Sequence, residues 1–441
     1  MAVAEAQDLY QTQFDRLDRA RSATDPAWLR ELRTAALVQF RAERFPTTRD
    51  EEFRFTPVAG IADRAFAPAF DGPTPVASVA DARALFDVPG LTAHELVFVN
   101  GRYAPALSSL RSLPDGVRVT TLGEALTIDD AFVRSHLNRH IKLPTQGFSA
   151  LNAAFLHEGA VIVLPDGAIV EDPIHLVFLS NPAWTSAGPF VAHPRTLVVA
   201  GRHSQARIIE TFAGHDVYFT NAVTEIVGGD NSHVDHYRVQ RESLEAFHVS
   251  GLHVHLSRSA TFSSHNIVFG GGVVRNDVNA VLDAEGIVCT LNGLYLVDGK
   301  RLVDNHTAID HAKPHCESHE LYKGILDDAG RGVFNGKIFV RPDAQKTDAK
   351  QTNQVLLLSD DATINTKPQL EIFADDVKCT HGATIGQLSA DQLFYLRARG
   401  IGKAEAQAIL IHAFASDIVE RIAIEPLRDQ LEQVLLSRLP M

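Results

Sequence analysis

The sequence has little cysteine, with only Cys289, Cys316 and Cys379 in 441 residues. Three widely spaced cysteines exclude a disulfide framework of the kind that holds small secreted domains together. No run of 18 apolar residues occurs, so we expect no transmembrane helix. The first residues lack the basic start and apolar centre of a secretory signal, which predicts a soluble cytoplasmic protein. A net charge of -13 argues against nucleic acid as the main partner, because phosphate binding needs a basic face.

Familiar enzyme motifs are also missing. The chain contains no G-x-x-x-x-G-K-[ST] loop, so we do not expect it to hydrolyse ATP by itself. It contains no G-x-S-x-G elbow and no H-E-x-x-H pair. A glycine run at 270–272 lies among strand-like segments, where a turn or bulge accounts for it.

Residues 1–147 predict a helical and α+β lead-in. Apolar residues recur at helical spacing on both sides of a break at 22–26. Prolines at 46 and 57 interrupt the helical pattern. Further on, the strand-like run 96–99 is followed by an Asn-Gly turn at 100–101, which is typical of a small mixed unit.

Residues 148–387 predict the β-rich core. Leu252, Val254 and Leu256 alternate with His253 and His255, as in a strand with one buried face. Short runs of this kind follow one another, separated by Gly, Asp and Asn turns, over more chain than a small sandwich needs. A stacked β-helix absorbs such length, because each turn covers the apolar face of its neighbour. We favour it over a large sandwich or jelly roll, although the sequence leaves the direction of strand pairing open.

Residues 388–441 predict a C-terminal helical domain. Ser389 and Gln392 fit a capping box at the start of a first helix. A second helix, from Lys403 to about 424, has Ile409, Ala413 and Ile418 along one face. A third helix begins at position 426, with apolar residues at 427, 431, 434 and 435. This tail either closes one end of the solenoid or offers a face to a partner, and closure is slightly favoured.

Two groups of residues are candidate metal ligands. Cys379 and His381 lie at i and i+2, so in a strand both face one side, but two ligands need further donors from another strand or chain. Without other information, a buried cysteine beside a surface histidine is the favoured interpretation. The stretch 306–319 holds four histidines and Cys316, but its spacing matches no structural zinc pattern, and polar surface positions are favoured there.

Many segments together resemble the SufB/SufD family of iron–sulfur cluster assembly proteins. The resemblance is densest between about 260 and 425 and includes a short motif after the N-terminal helices. The segments that carry it are 52–57 (EFRFTP), 304–307 (DNHT), 318–323 (SHELYK), 332–337 (GVFNGK), 344–353 (AQKTDAKQTN), 367–372 (KPQLEI), 379–384 (CTHGAT) and 391–401 (DQLFYLRARGI).

The resemblance implies a mainly β protein, with a right-handed parallel β-helix core between N-terminal and C-terminal helical units. It implies a non-catalytic scaffold that pairs with a SufB chain through the β-helix and binds the SufC ATPase through residues 388–441. A transient iron–sulfur cluster shared with SufB is implied as cargo, and reduced flavin as a possible cofactor of the complex. A homodimer without SufB, a stand-alone homodimeric binding protein and a carbohydrate-active β-helix enzyme are the alternatives. Two tryptophans and no export signal disfavour the enzyme.

Two positions indicate a SufD-type rather than a SufB-type member. SufB-type chains carry cysteine at the position of Asn353 and glutamate at the position of Gly382. In SufD-type chains the histidine of the Cys-x-His-Gly motif is the proposed ligand at the SufB interface, which corresponds to His381. Mixed histidine and cysteine ligation is established cluster chemistry, so the resemblance implies His381, with Cys379 beside it, as candidate ligands.

Overall fold

The computed structural model describes residues 3–70, 78–141, 147–184 and 188–439, with helices at both ends of a long β structure. None of the helices in these ranges is long and apolar enough to cross a membrane. Within these ranges the α-helices are α1 (Val3–Arg21), α2 (Ala27–Glu43), α3 (Ala59–Ala62), α4 (Val79–Phe86), α5 (Leu122–His136), α6 (Phe148–Ala154), α7 (Ala390–Ala398), α8 (Lys403–Val419) and α9 (Glu425–Ser437). Short 3₁₀ helices span Glu51–Phe53 and Pro182–Trp184.

The strands form two sheets. Sheet A contains β1 (Ala67–Pro68), β4 (Arg118–Thr121), β5 (Gly159–Leu164), β7 (Phe190–Ala192), β8 (Arg195–Ala200), β10 (Phe219–Gly228), β12 (Phe247–Leu256), β14 (Val273–Leu282), β16 (Leu302–His311), β18 (Arg331–Val340) and β20 (Thr363–Ile372). Sheet B contains β2 (His94–Val99), β3 (Arg102–Tyr103), β6 (Ile174–Ser180), β9 (Gln205–Gly214), β11 (His233–Arg241), β13 (Thr261–Val268), β15 (Val288–Val297), β17 (Glu317–Leu326), β19 (Asp348–Leu357) and β21 (Lys378–Gly386).

From β8 onward the chain alternates between the two sheets and so winds a parallel β-solenoid of about seven turns. Gln205, His233 and Thr261 lie side by side on β9, β11 and β13, so one turn takes 28 residues there. This confirms the predicted β-helix core between helical units and shows that the sandwich alternative was wrong. Residues in register stack into columns, and every second column faces the interior.

The N-terminal region contributes directly to the solenoid. Helices α1, α2 and α6 share an apolar cluster with Phe219 and Val249 of sheet A. The predicted boundary at 147 falls at the residue before α6, so the chain there begins with a helix rather than with a strand. Before that boundary, β2 already pairs in parallel with β6, and β4 pairs in antiparallel fashion with β5. The lead-in therefore supplies strands to both sheets.

The predicted Asn-Gly turn forms a hairpin between β2 and β3. Asn100 and Gly101 both have positive φ, which two-residue hairpin turns require and which these residue types tolerate. Phe98 of β2 stacks on Phe178, which stacks on Phe212, with ring centroids 5.2 and 5.0 Å apart. Each such contact contributes about 0.5–1.5 kcal/mol beyond the area that it buries.

The C-terminal helices lie along the outer face of sheet B and leave the end of the solenoid open, so the favoured expectation of closure was wrong. Residues of α8 and α9 share an apolar cluster with Ile209, Tyr237 and Leu294 of sheet B. The serine half of the predicted capping box is confirmed, because the Ser389 hydroxyl group accepts a hydrogen bond from the backbone amide of Gln392. The stripe on α9 is confirmed, whereas α8 buries the residues Ala406, Ile411, Ala415, Ser416, Ile418 and Val419 and exposes Ile409 and Ala413.

The last turn, formed by β20 and β21, is the open end of the solenoid. Within the described residues, β20 pairs only with β18 and β21 only with β19, so each has one free edge. Neither strand contains a fully buried residue. Because an unpaired strand presents a row of free amide and carbonyl groups, this end is chemically ready to bind another chain.

Candidate functional site

Cys379 and His381 both lie on β21 at the open end. Cys379 is in register with Ala349 of β19, and His381 is in register with Gln351. Ala349 and Gln351 are buried inside the solenoid, so the columns that end at Cys379 and His381 face the interior. The structure therefore places the two predicted site residues on one side of one strand, as their spacing requires.

Cys379 is half-buried, and the apolar interior of the last turns surrounds it. Burial raises the pKa of its thiol, and the nearby Asp348 adds to that rise, against a hydrogen bond from the Ala349 backbone. The residues packed with it are Ile338, Val340, Ala344, Ala349, Ala374, Leu370 and Val377. The thiol is therefore surrounded by apolar side chains at the open end of the solenoid.

His381 is exposed although its column faces inward, because no further turn covers it. Beneath it the column continues through Gln351 to Glu320, and the Gln351 amide donates a 2.8 Å hydrogen bond to the Glu320 carboxyl group. The imidazole is therefore available to a ligand or partner that approaches the end of the solenoid, while polar groups lie below it.

The two positions that separate SufB-type from SufD-type chains differ in their surroundings. Asn353 is buried inside the solenoid and donates a 3.0 Å hydrogen bond to Thr366 of β20. Gly382 lies on the outer side of β21, and a Cβ atom there would meet no atom within 4 Å. Space alone therefore does not demand glycine at position 382, where a longer side chain would project into solvent.

The histidine-rich stretch 306–319 does not form one site. His306 lies on the outer face of sheet A, His311 is buried with a 2.9 Å contact to the Ser318 hydroxyl, and His319 faces outward on β17. Cys316 donates a hydrogen bond to the Ala284 carbonyl oxygen. In the described ranges no three His, Cys, Asp or Glu side chains converge in a way that could hold a metal ion.

His306 instead fastens the 50s segment, residues 51–56, to the outer face of sheet A. Its ring nitrogens lie 3.2 Å from a Glu52 oxygen and 3.1 Å from an Asp304 oxygen. Burial and the Arg275 charge oppose protonation of His306, but Asp304 and Glu52 outweigh them and raise its pKa. The same Asp304 carboxylate accepts hydrogen bonds from Arg275, at 2.6 Å, and from Thr56, at 2.5 Å.

A buried acid–base cluster inside the solenoid escaped the sequence analysis. Glu210 contacts His236 at 3.0 Å and Arg238 at 2.8 Å, and it accepts a 2.8 Å hydrogen bond from the Thr224 hydroxyl. The signal in the sequence was the placement of charged and imidazole side chains at alternate positions of strand-like runs. Only the register brings residues of neighbouring turns together, so spacing along the chain could not reveal this cluster.

The fold and the site define a class of protein. The chain is a β-solenoid whose last turn has two free strand edges. The thiol of Cys379 and the imidazole of His381 lie on the last strand, and helices α8 and α9 pack against the outer face of sheet B. Apolar side chains are exposed at this end, including Phe373, which is 62% exposed, and Ile385, which is 49% exposed. These features are typical of a subunit that assembles with other chains.

Comparison with known proteins gives the family. The family described as "SUF system FeS cluster assembly, SufBD core domain" matches residues 183–414, and the SufBD N-terminal region matches residues 4–176. The chain therefore belongs to the SufBD family of iron–sulfur cluster assembly proteins.

Individual relatives agree with this assignment over nearly their whole length. An iron–sulfur cluster assembly SufBD family protein of Synechocystis is 33% identical over 99% of this chain and 98% of the relative. The iron–sulfur cluster assembly protein SufD of Escherichia coli is 33% identical over 92% of each chain. SufD of Bacillus subtilis is 28% identical over 93% of this chain and 94% of the relative.

Proposed function

We propose that this chain is a SufD-like, non-catalytic scaffold subunit of a complex with a SufB-like chain and a SufC ATPase. The observation that carries the proposal is the open end, where Cys379 and His381 lie on a strand whose outer edge is unpaired. Membership in the SufBD family supports this assembly function over the carbohydrate-active alternative. The missing P-loop assigns ATP hydrolysis to the partner.

The SufB-like partner binds the open end in this proposal. Both final strands have free edges, and Ile372, Phe373 and Ile385 expose apolar surface beside them. Edge-to-edge strand pairing satisfies backbone groups, and exposed apolar side chains beside the edge add buried area. A contact at this end brings donors from the second chain next to His381, which meets the need for further ligands.

His381 and Cys379 then contribute to a transient iron–sulfur site shared between the two chains. Thiolate sulfur and imidazole nitrogen are both suitable donors to iron. His381 is exposed, so it reaches a cluster in the interface without rearrangement of the strand. Cys379 lies two residues away in the rim and supplies a donor when its thiol loses the proton.

Replacement of His381 by alanine tests this role. We expect His381→Ala, co-expressed with its SufB-like and SufC partners and reconstituted anaerobically, to lose most of its cluster loading. The measurement is the iron–sulfur charge-transfer absorption per assembled complex, together with cluster transfer to an acceptor protein.

A matched control is His215→Ala, which changes an exposed histidine far from the open end. The control should load and transfer clusters like the unsubstituted protein. Unchanged loading and transfer in His381→Ala, in a complex of normal composition, would refute the ligand role.

The SufC-like ATPase binds the C-terminal helices in this proposal, with α7 as the central contact. Helix α7 has no buried residue, and Phe394 and Tyr395 on it are 75% and 57% exposed. By contrast, α8 and α9 use their apolar faces against sheet B. An exposed aromatic pair on a short helix is typical of a contact that another chain covers.

We expect Phe394→Ser to weaken capture of the SufC-like partner by about tenfold or more, since a buried aromatic anchor contributes about 2 kcal/mol or more. The variant should keep its thermal stability, because Phe394 packs against little of its own chain. Quantitative pull-down or calorimetric titration measures the affinity. Ile128→Ser on α5 removes another exposed apolar residue as the control, and equal binding by both variants would exclude α7 as the contact.

Deletion of residues 389–441 is the coarser test, and it should abolish capture of the SufC-like partner altogether.

We also predict reduced flavin in the complex, a homodimer in the absence of SufB and a cytoplasmic location.

A further inference from the structure

Polar side chains lie inside the solenoid in two groups, one in the middle turns and one in the last turns. Inward-facing columns carry Glu210, Arg238 and Ser250 in the middle turns and Glu320 and Gln351 in the last turns. In the middle turns the charges are matched, since Arg238 and His236 accompany Glu210. The last turns differ in this respect.

Glu320 is a buried carboxyl group for which the protein supplies no countercharge. Glu225 pairs with Arg195 at 2.5 Å and Asp304 pairs with Arg275 at 2.6 Å, but no Lys, Arg or His in the described part of the chain forms an ion pair with Glu320. Burial raises the pKa of Glu320 to about 7, and the nearby Thr307 and Gln351 side chains offset only part of that rise. Buried carboxylates are normally paired with a cation or coordinate a metal.

The carboxyl group of Glu320 and the amide of Gln351 each have an oxygen atom without a partner. Oε1 of Glu320 and Oε1 of Gln351 have no hydrogen-bond partner among the described residues, and both residues are more than nine-tenths buried. The Thr307 hydroxyl group lies within hydrogen-bonding reach of Glu320 and lowers the pKa of its carboxyl group. Oδ1 of Asn353, two residues beyond Gln351 along β19, is also buried without a hydrogen-bond partner among the described residues. Buried polar groups without partners are rare in folded proteins, so a set of them indicates a missing ligand.

Sheet A makes room for this arrangement by using glycine opposite Gln351. A Cβ atom on Gly336 would lie 2.3 Å from Gln351 Nε2, so any larger residue would push the amide out of the interior. With glycine at position 336, the Gln351 side chain extends toward sheet A. Its Nε2 donates a 2.8 Å hydrogen bond to Glu320, and its Oε1 has no partner in the described structure.

We propose that Glu320, with the side-chain oxygens of Gln351 and Thr307, binds a divalent cation inside the last turns of the solenoid. Carboxylate, amide and hydroxyl oxygens are the donors of Mg²⁺, Mn²⁺ and similarly hard cations. The cation supplies the countercharge that Glu320 lacks and fills the free acceptor positions.

The inference does not require His381 to be a cluster ligand, and the experiment separates the two ideas. Full-length protein is freed of metal with a chelator and titrated with Mn²⁺, with the electron paramagnetic resonance signal of free Mn²⁺ reporting binding. We expect one saturable site per chain and a rise in the thermal midpoint. Glu320→Gln, which keeps size and shape, should weaken Mn²⁺ binding at least tenfold.

The controls are Glu317→Gln, an exposed acid on the same strand, and His381→Ala, and both should bind Mn²⁺ like the unsubstituted protein. Absence of a saturable site, or equal binding by Glu320→Gln, would overturn the proposal. Loss of binding in His381→Ala alone would place the cation at the rim and overturn it as well. If Glu320→Gln does not fold, hydrogen exchange of unsubstituted protein decides: Mn²⁺ must slow exchange at 318–324 and 349–355.

Discussion

Replacement of Glu210 by alanine is expected to lower the free energy of unfolding by about 3–5 kcal/mol, because it leaves the buried Arg238 guanidinium group without its anion and removes a hydrogen-bond partner of His236. Burial opposes ionisation of Glu210, but Arg238 and His236 outweigh it and hold the pKa of this carboxyl group well below its usual range. The carboxylate also accepts the Thr224 hydroxyl group. The cluster joins side chains of β9, β10 and β11, so it links neighbouring turns of the solenoid.

Urea denaturation followed by circular dichroism measures the loss. Glu245→Ala, at an exposed position with no side-chain ion pair in the described structure, is the control and should change the free energy of unfolding by no more than about 0.5 kcal/mol. A loss below about 1 kcal/mol for Glu210→Ala would show that the cluster does not hold the turns together.

Asp304→Ala is expected to release the 50s segment and to lower the free energy of unfolding by about 2–4 kcal/mol. Asp304 joins the segment to sheet A, because its carboxylate bonds Thr56 on one side and Arg275 on the other. Arg275 in turn donates to the Glu52 carbonyl oxygen, and its guanidinium group lies 4.5 Å from the Phe53 ring centroid. Loss of this carboxylate therefore weakens the contacts that Thr56, Glu52 and Phe53 make with sheet A through Asp304 and Arg275.

Hydrogen exchange at residues 51–57 should accelerate in Asp304→Ala, with little change in the C-terminal helices. Asp310→Ala is the matched control, since Asp310 lies on the same strand and pairs with the exposed Arg341. An exchange rate at 51–57 equal to that of the control would contradict the anchoring role.

The pH dependence has a definite sign. Burial opposes ionisation, but Arg275, His306 and Thr56 lower the pKa of Asp304 to about 2. A lowered pKa stabilises the fold above the usual aspartate range, and the contribution of about 2 kcal/mol is lost as the pH falls from about 4 to 2. In Asp304→Ala, this loss of about 2 kcal/mol of stability between about pH 4 and pH 2 should be absent.

The predictions from sequence succeeded where the physics is local. The Asn100–Gly101 hairpin, the N-cap at Ser389 and the apolar stripe of α9 follow from backbone preferences and spacing within one element. The β-helix core was correctly favoured, because stacked turns absorb a long span of period-2 alternation, but only the structure showed the parallel pairing that excludes a sandwich. The predicted stripe of α8 was right only for Ile418, because the face that packs on sheet B contains Ile411, Ala415 and Ile418, while Ile409 and Ala413 are exposed.

Contacts between turns could not be predicted in the same way. Glu210 meets Arg238, and Glu320 meets Gln351, only because the length of each turn sets which residues lie side by side. The turn length also varies, from 28 residues between His233 and Thr261 to 27 between Thr261 and Val288, so no constant spacing along the chain gives the register. In the stretch 306–319, polar surface positions were favoured over a metal site, but the fold places only His306 on the outer face of sheet A and buries His311 inside the solenoid.

By itself, the sequence determined the order of the units, the β-solenoid, the family resemblance and the pair Cys379 and His381, since each depends on local pattern or on motif. The tertiary structure decided that the C-terminal helices lie on the side of sheet B and leave the last turn open. The physical reason is that apolar faces on α8 and α9 find their partners on sheet B, while α7 finds none. That placement leaves His381 exposed at a free strand edge.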